Sequence, residues 1–222
     1  MTLHASLLAP HGFFVTGTDT GVGKTLVACA LLRAFAAAGR RVAGMKPVAA
    51  GAEQTAGGLV NADVQLLRGA SSVAAPLALV NPYCFTPAVA PHIAAERAGV
   101  TIDLKRIAQA FAQLAAIADV VIVEGAGGFC VPLNRHEDAA DLACHLGLPV
   151  ILVVGLRLGC LNHALLTAQA VRARGLRLAG WIVNRIDPAM AVADENIRAL
   201  AARLEAPLVG EIEFMAEPDP AR

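Results

Sequence analysis

The chain has 222 residues, a length typical of one large α/β domain that buries a sizeable core. Eighteen Lys and Arg residues balance eighteen Asp and Glu residues, so no net charge concentrates the protein on nucleic acid or on an anionic membrane. The hydrophobic content is 56% with only 4% aromatic residues, which indicates a core of Ala, Val and Leu between helices and a parallel sheet. We therefore expect a single domain over residues 1–222, with no nucleic-acid and no membrane partner.

Targeting and cysteine patterns favour a cytoplasmic protein. The N-terminal stretch "MTLHASLLAPHG" has no basic region ahead of its apolar patch, so we expect no secretory signal. The longest apolar runs, such as "LPVILVVGL", reach about half of the ~20 residues that a membrane-spanning helix needs. Five scattered cysteines without a C-x-x-C pair argue against a disulfide framework or a zinc site.

Apolar strand-like runs alternate with helical patterns along the chain. The alternation predicts an α/β fold with a mostly parallel sheet and helices on both faces. Gly39, Gly99 and Gly175 follow helical patterns and predict helix ends. Thr101 is the expected N-cap of the amphipathic helix in "TIDLKRIAQAFAQLAAIA". The expected strands are "GFFVT", "RRVAGMKPV", "ADVVIVEGAGG", "LPVILVVG" and "RLAGWIVNRI", and the expected helices are "TLVACALLRAFAAAG", "TIDLKRIAQAFAQLAAIA", "LNHALLTAQAVRARG" and "ENIRALAARLEA".

Residues 49–91 break this alternation. The segment is rich in Gly, Ala, Ser, Asn and Pro and contains one short helical pattern, "NADVQLLRGA". We expect a long irregular substrate loop or lid here, which we favour over poorly ordered surface.

The stretch "GTDTGVGKT", residues 17–25, lies between an apolar strand and a helix and predicts a phosphate loop. Gly23, Lys24 and Thr25 match the end of the G-x-x-x-x-G-K-[ST] signature, whereas the opening glycine, Gly17, comes one residue early. In such a loop the lysine faces the terminal phosphates and the Thr25 hydroxyl is available to Mg²⁺. Because of the single-residue shift, a glycine-rich turn with a solvated lysine stays open as a second interpretation.

Three charged residues at predicted strand ends or loops complete a candidate site. Glu124 follows the buried run Val120 to Val123, which suits a metal ligand. Asp63 is a weaker second candidate, because an acid in the first turn of a helix is common for other reasons. Lys46 follows the second strand, where it can face the phosphates from the side opposite Lys24 or extend its ammonium into water.

The stretch "HEDAADLACH" is similar to the zinc-protease motif H-E-x-x-H only up to its last position. Ala140 stands where the second histidine ligand would be. We therefore expect a solvated helix there and no zinc site.

Taken together, "GTDTGVGKT", "GMKPVAAG", "NADVQLL", "NPYCF", "VEGAGG", "LPVILVVGLRLGCLNHALLTAQ" and "LAGWIVNR" resemble the dethiobiotin synthetases of biotin synthesis in order and spacing over essentially the whole chain. The resemblance implies a homodimeric cyclo-ligase that uses ATP and Mg²⁺. Its small-molecule substrates would be 7,8-diaminopelargonic acid and CO₂, and the active site would lie at or near the subunit interface.

The same resemblance implies roles for individual residues. Catalysis would use Lys24, Lys46 and Thr20, with Thr20 and Lys46 also contacting the substrate carbamate. The implied metal ligands are Thr25, Asp63 and Glu124. The implied nucleotide contacts are Gly21, Val22, Gly23, Lys24, Thr25, Leu26, Glu124 and Asn184, and Asn184 would read the adenine. The substrate carboxylate would be bound from the partner subunit by Gly159, Cys160, Leu161 and Asn162.

Some positions depart from the family pattern, and three different functions stay open. Ala50 stands where serine is usual near the carbamate, and Glu213 where proline is common beside the base. The "AEPDPAR" ending is shorter than in many relatives.

A switch ATPase of the chromosome-partitioning type would carry a lysine at Asp19. A cobyrinic acid synthase domain would need a glutamine-hydrolysing partner domain, and a non-catalytic nucleotide-binding module would not need two lysines and a carboxylate so placed.

Overall fold

The structure, a computed structural model, describes residues 11–217. Residues 1–10, in which no secretory signal is expected, and residues 218–222 of the "AEPDPAR" ending lie outside the described residues. In chain order the elements are β1 (Gly12–Gly17), α1 (Lys24–Ala37), β2 (Val42–Met45), β3 (Val48–Ala50), β4 (Glu53–Thr55), β5 (Gly58–Val60), α2 (Ala62–Ala70), α3 (Leu77–Val80), β6 (Tyr83–Phe85), α4 (Pro91–Arg97), α5 (Leu104–Ile117), β7 (Val120–Gly128), α6 (Ala139–Leu146), β8 (Val150–Leu156), α7 (Cys160–Ala173), β9 (Leu178–Arg185), α8 (Ala193–Ala201) and β10 (Leu208–Ile212).

Six parallel strands form the main sheet, in the order β10-β9-β8-β1-β7-β2. This arrangement confirms the predicted α/β fold with a mostly parallel sheet. The direction in which the chain moves across the sheet changes at β1, whose neighbours are β7 and β8. In open parallel sheets, ligands bind beyond the carboxyl ends of the strands at such a switch point. The phosphate loop follows β1 at that point.

Alternate residues of the strands face opposite layers of helices. Phe13 and Val15 of β1 pack in the cluster that contains the buried faces of α1 and α2. Phe14 packs in the second cluster, together with the buried faces of α5, α6, α7 and α8. The central strands are buried on both sides, as their continuous apolar runs predict, and the predicted placement of helices on both faces is confirmed.

The outer edge of β2 is closed by the turn that follows α2. The hydroxyl of Ser72 accepts a hydrogen bond from Val42 N (2.8 Å), and that of Ser71 accepts one from Gly44 N (2.9 Å). Ser72 N in turn donates to Val42 O at 3.0 Å. These bonds tie α2, which carries Asp63, to the strand that leads to Lys46.

The expectation of an irregular segment over residues 49–91 is wrong. The predicted helix in "NADVQLLRGA" is present as α2, but the segment also contains β3, β4, β5, α3 and β6. These strands are three residues long and pair with each other, β3 with β6 and β4 with β5, outside the main sheet. Strands this short leave too few alternating positions for a recognisable pattern.

The N-cap of α5 and the burial of α6 also differ from expectation. Asp103, and not Thr101, caps α5, because its carboxylate accepts from Lys105 N at 2.9 Å. The stretch "HEDAADLACH" forms α6 with a reciprocal capping box between Asp138 and Asp141, yet four residues of the helix are buried, so it is not a fully solvated helix. The helix ends at Gly39, Gly99 and Gly175 are confirmed, each with positive φ.

No helix within residues 11–217 is both long and apolar enough to cross a membrane.

Candidate active site

The phosphate loop joins β1 to α1 as the sequence predicts. Gly23 is the N-cap of α1 with φ of 89°, in the left-handed region, and no side chain caps the helix. A Cβ atom at Gly23 would lie 2.2 Å from Asn184 Nδ2, so only glycine fits there without displacement. The first amides of α1 therefore stay available to an anion.

Lys24 bends back over this loop. Its ammonium donates to the carbonyl oxygen of Asp19 at 2.9 Å, and only 6% of the residue is exposed. Burial, followed by repulsion from Lys46, lowers the pKa of Lys24 from 10.5 to about 8. Lys24 and Lys46 also line the same cleft.

Lys46 and two carboxylates form a compact buried cluster beside the loop. The Lys46 ammonium donates to Glu124 Oε1 at 2.5 Å and to Asp63 Oδ2 at 2.8 Å. Glu124 lies in β7 and is 1% exposed, and Asp63 lies in the first turn of α2. Thr25 Oγ1 lies 2.9 Å from Asp63 Oδ1 and 3.0 Å from Glu124 Oε1.

The opposite charges in this cluster stabilise each other's ionised forms. Burial acts to lower the pKa of Lys46, but the attraction of Glu124 and Asp63 outweighs it, so that pKa lies above its usual value. Burial likewise acts to raise the pKa of Asp63, and contacts with Lys46 and Thr25 hold it below its usual value. The cluster therefore contains an ammonium ion and an ionised Asp63 at neutral pH.

The oxygen atoms of this cluster fit Mg²⁺. Octahedral Mg²⁺ at about 2.0–2.1 Å from its ligands places neighbouring ligand oxygens about 3 Å apart. Thr25 Oγ1 lies at that spacing from both carboxylates. Glu124 Oε2 is buried and has no hydrogen-bond partner, so the carboxylate retains a free acceptor. No group of three or more His, Cys, Asp and Glu residues suited to a metal occurs within residues 11–217, so phosphates and water would supply the other ligands.

These residues line one cleft of about 680 Å³. Its walls come from the phosphate loop, the ends of β2 and β7, and the segment that leads into α4. The lining includes Thr20, Gly21, Gly23, Lys24, Thr25, Lys46, Asp63 and Glu124. A larger cleft of about 840 Å³, between α4 and residues 133–137, contains none of the predicted site residues.

Asn184 lies at the end of β9 and contacts the phosphate loop directly. Its Nδ2 atom donates to Val22 O at 3.0 Å, and the residue is 7% exposed. The side chain thus supports the loop through its backbone. The structure therefore places Asn184 beside the phosphate loop.

The stretch Gly159 to Asn162 forms the N-terminus of α7, as expected. Gly159 is the N-cap with φ of 96°, no side chain caps the helix, and the Cys160 side chain is buried. Two residues before Gly159, Arg157 pairs with Asp19 of the phosphate loop at 2.5 Å. The start of α7 is thus tied to the same loop that holds Lys24.

The two departures from the family pattern have different surroundings. Ala50 lines the cleft that also contains Lys46. Glu213 lies 3.6 Å from Arg185, which also pairs with Asp194 and Glu211. Glu213 is therefore one of three carboxylates around the guanidinium that follows Asn184.

Sequence reasoning missed part of the cleft wall and one contact of the loop. Ala88, Val89 and Val131 line the cleft, but small apolar residues in loops give no chemical signal. The Asp19 carbonyl that accepts from Lys24 is a backbone group that no side-chain pattern reveals.

Solved structures show the fold of this chain in proteins of low sequence identity. The MinC:MinD cell division protein complex of Aquifex aeolicus matches with a TM-score of 0.57 and 18% identity, covering 93% of this chain and 83% of that one. A ParA family ATPase from Chlorobium tepidum TLS matches with a TM-score of 0.53 and 15% identity, covering 93% and 85%. These similarities show the fold alone.

Sequence comparison identifies the family. A family model described as an AAA domain matches residues 11–222. The ATP-dependent dethiobiotin synthetase BioD of Aromatoleum aromaticum is 61% identical over 213 residues, covering 96% of this chain and 95% of the relative. That of Nitrosospira multiformis is 60% identical over 203 residues, covering 91% and 88%. The chain belongs to the family of ATP-dependent dethiobiotin synthetases, which are cyclo-ligases.

Proposed function

We propose that this chain uses ATP and CO₂ to close 7,8-diaminopelargonic acid into dethiobiotin, releasing ADP and phosphate. The observation that carries the proposal is the convergence of Lys24 and Lys46 on one cleft beside the phosphate loop, together with two carboxylates. Two ammonium groups at this point suit a reaction in which a carbamate and a phosphoryl group, both anionic, must approach each other.

The proposed reaction has three steps. One amine of the substrate takes up CO₂ as a carbamate, and Thr20 and Lys46 hold the carbamate oxygens. A carbamate oxygen then attacks the γ-phosphorus, ADP leaves, and a carbamic-phosphoric anhydride forms. Finally the second amine attacks the carbamoyl carbon, the cyclic urea closes and phosphate departs. Lys24 and Lys46 act by positioning and electrostatic stabilisation.

Thr25, Asp63 and Glu124 would hold Mg²⁺, which neutralises charge on the nucleotide phosphates when bound. The spacing of their oxygen atoms supports this assignment. Residues Gly21 to Leu26 would bind the phosphates through backbone amides, the Lys24 ammonium and the Thr25 hydroxyl, while Asn184 would read the adenine.

The active site is proposed to be shared across a homodimer. The N-terminus of α7, Gly159 to Asn162, would bind the substrate carboxylate held over the partner's phosphate loop. Exposed apolar side chains beside and along α7 support an interface there, since Leu158 is 93% exposed and Leu166 is 55% exposed.

We further propose that residues 1–222 act as one catalytic domain in the cytoplasm. All five cysteines are free, which suits a reducing compartment.

The experiment is to measure ADP formation with ATP, Mg²⁺, bicarbonate and the diamino acid, omitting each in turn. We expect turnover only with the complete mixture, and dethiobiotin as the product by mass spectrometry. ADP formation at the same rate without the diamino acid would indicate a switch ATPase and contradict the ligase assignment.

A further inference from the structure

The carboxylates that fit Mg²⁺ are already occupied by a cation of the chain itself. Lys46 Nζ lies 2.5 Å from Glu124 Oε1 and 2.8 Å from Asp63 Oδ2, and its side chain is 7% exposed. Glu124 is 1% exposed, and an ionised carboxylate so buried is costly without a counter-charge. The ammonium therefore supplies the positive charge that the buried cluster requires.

The positions of the two cations overlap. Glu124 Oε1 accepts from both Lys46 Nζ and Thr25 Oγ1, and Asp63 contacts the same two residues through its two oxygens. A divalent ion within bonding distance of these oxygens would lie close to the ammonium, and like charges at such distances repel strongly in a buried site. The ammonium and the divalent ion therefore compete for Glu124 Oε1, the oxygen that contacts both Lys46 Nζ and Thr25 Oγ1.

We propose that Lys46 is a built-in counter-ion that holds Asp63 and Glu124 in the metal-free protein and is released into the cleft when the divalent cation binds. The proposal rests on the assignment of Thr25, Asp63 and Glu124 as the metal site. It adds to the proposed function an order of events, because the Lys46 ammonium becomes available to the reacting anions only after the cation has taken its place.

The direction of release follows from the surroundings of Lys46. The residue lines the same cleft as Thr20, Gly21 and Lys24, so the open side of the cluster faces the phosphate loop. An ammonium displaced toward Lys24 would be repelled unless an anion lay between them. Nucleotide phosphate supplies that anion, so cation and nucleotide favour release together.

The first test measures cation binding without nucleotide, and so does not depend on activity. Mn²⁺ titration followed by electron paramagnetic resonance would compare wild type with Lys46→Met and with the control Lys105→Met, which replaces an exposed lysine of α5. We expect Lys46→Met to bind Mn²⁺ roughly tenfold more tightly or better, since the competing charge is gone. We expect Lys105→Met to match wild type. Equal affinity in all three proteins would overturn the proposal.

Adding Glu124→Gln to Lys46→Met should abolish the gain in Mn²⁺ affinity, which would locate the bound ion at the cluster of Asp63 and Glu124. A gain that survives this second change would mean that the ion binds elsewhere, and the proposal would be wrong. Neither outcome depends on whether the protein forms dethiobiotin.

A second measurement uses the wild-type protein, in case Lys46→Met does not fold. The chain has only three lysines, Lys24, Lys46 and Lys105, so ¹⁵N-lysine labelling limits the ammonium spectrum to these three side chains. We expect ADP with Mg²⁺ to shift the Lys46 signal, whereas ADP with a chelator leaves it in place. If Mg²⁺ and ADP bind and the Lys46 signal does not move, Lys46 is not displaced.

Discussion

Replacing Lys24 by Met should stabilise the nucleotide-free protein, because the folded state disfavours the charged form of this lysine. Its pKa falls from 10.5 to about 8, first through burial and then through repulsion from Lys46. One pKa unit corresponds to about 1.4 kcal/mol, so the charged ammonium costs the folded state about 3 kcal/mol. Lys24→Met removes this cost, less the hydrogen bond to Asp19 O, which contributes about 1 kcal/mol.

The free-energy cost of the charged Lys24 ammonium in the folded state has a defined pH dependence. Below a pH of about 8 Lys24 is protonated in both states and the full cost is present. Between about 8 and 10.5 the unfolded chain binds one proton more than the folded protein, so the stability of wild type rises with pH. Above 10.5 the cost is absent. The advantage of Lys24→Met over wild type should therefore shrink by about 3 kcal/mol from neutral pH to a pH of about 10.5.

Urea unfolding of both proteins at several pH values, without nucleotide, measures this difference. Groups other than Lys24 titrate in both proteins and largely cancel, and Lys105→Met provides the control of an exposed lysine. A difference between Lys24→Met and wild type that stays constant over this pH range would refute the argument that burial and Lys46 destabilise the Lys24 ammonium.

Three further results are expected. Lys46→Gln should lower kcat by ~10²-fold or more with little change in ATP affinity, as loss of one preorganised donor does; weakened ATP binding with an unchanged kcat would instead make Lys46 a ground-state ligand. Gly23→Ala should weaken ATP binding more than Gly39→Ala. Both glycines have positive φ, but only a Cβ atom at Gly23 would collide with a neighbour, the side-chain amide of Asn184. Equal ATP affinities of the two variants in calorimetry would contradict this prediction. In a shared site, mixing Lys24→Ala with Asn162→Trp after subunit exchange should restore activity, since half of the sites in each heterodimer are intact; an inactive mixture with verified heterodimers would place the substrate within one subunit.

The sequence predicts the main sheet and the phosphate loop because their signals are local. Long apolar runs define β1, β7, β8 and β9, and the spacing of Gly23, Lys24 and Thr25 defines the loop. Glu124 could be placed from its own strand, since the end of a buried strand in a parallel sheet lies at the ligand-binding edge.

Other parts depend on tertiary contacts that no local pattern encodes. Asp63 joins the site because α2 packs beside β2, where bonds from the serines after α2 help to hold it and its first turn lies beside Lys46. The strand β10 escapes prediction, because "LVGEI" is short and only partly buried at the sheet edge. Ion pairing between Lys46 and the carboxylates also depends on burial, which spacing does not reveal.

The serine-capped edge of β2 also affects how the folded chain meets other chains. An open edge strand offers its free amides and carbonyls to any extended segment, and this pairing is a common start of aggregation. At β2 the hydroxyl groups of Ser71 and Ser72 occupy the outward amides of Gly44 and Val42, and the backbone of Ser72 occupies the Val42 carbonyl. A foreign strand would have to break these bonds before it could pair, so the turn that follows α2 also protects this side of the sheet from intermolecular β-association.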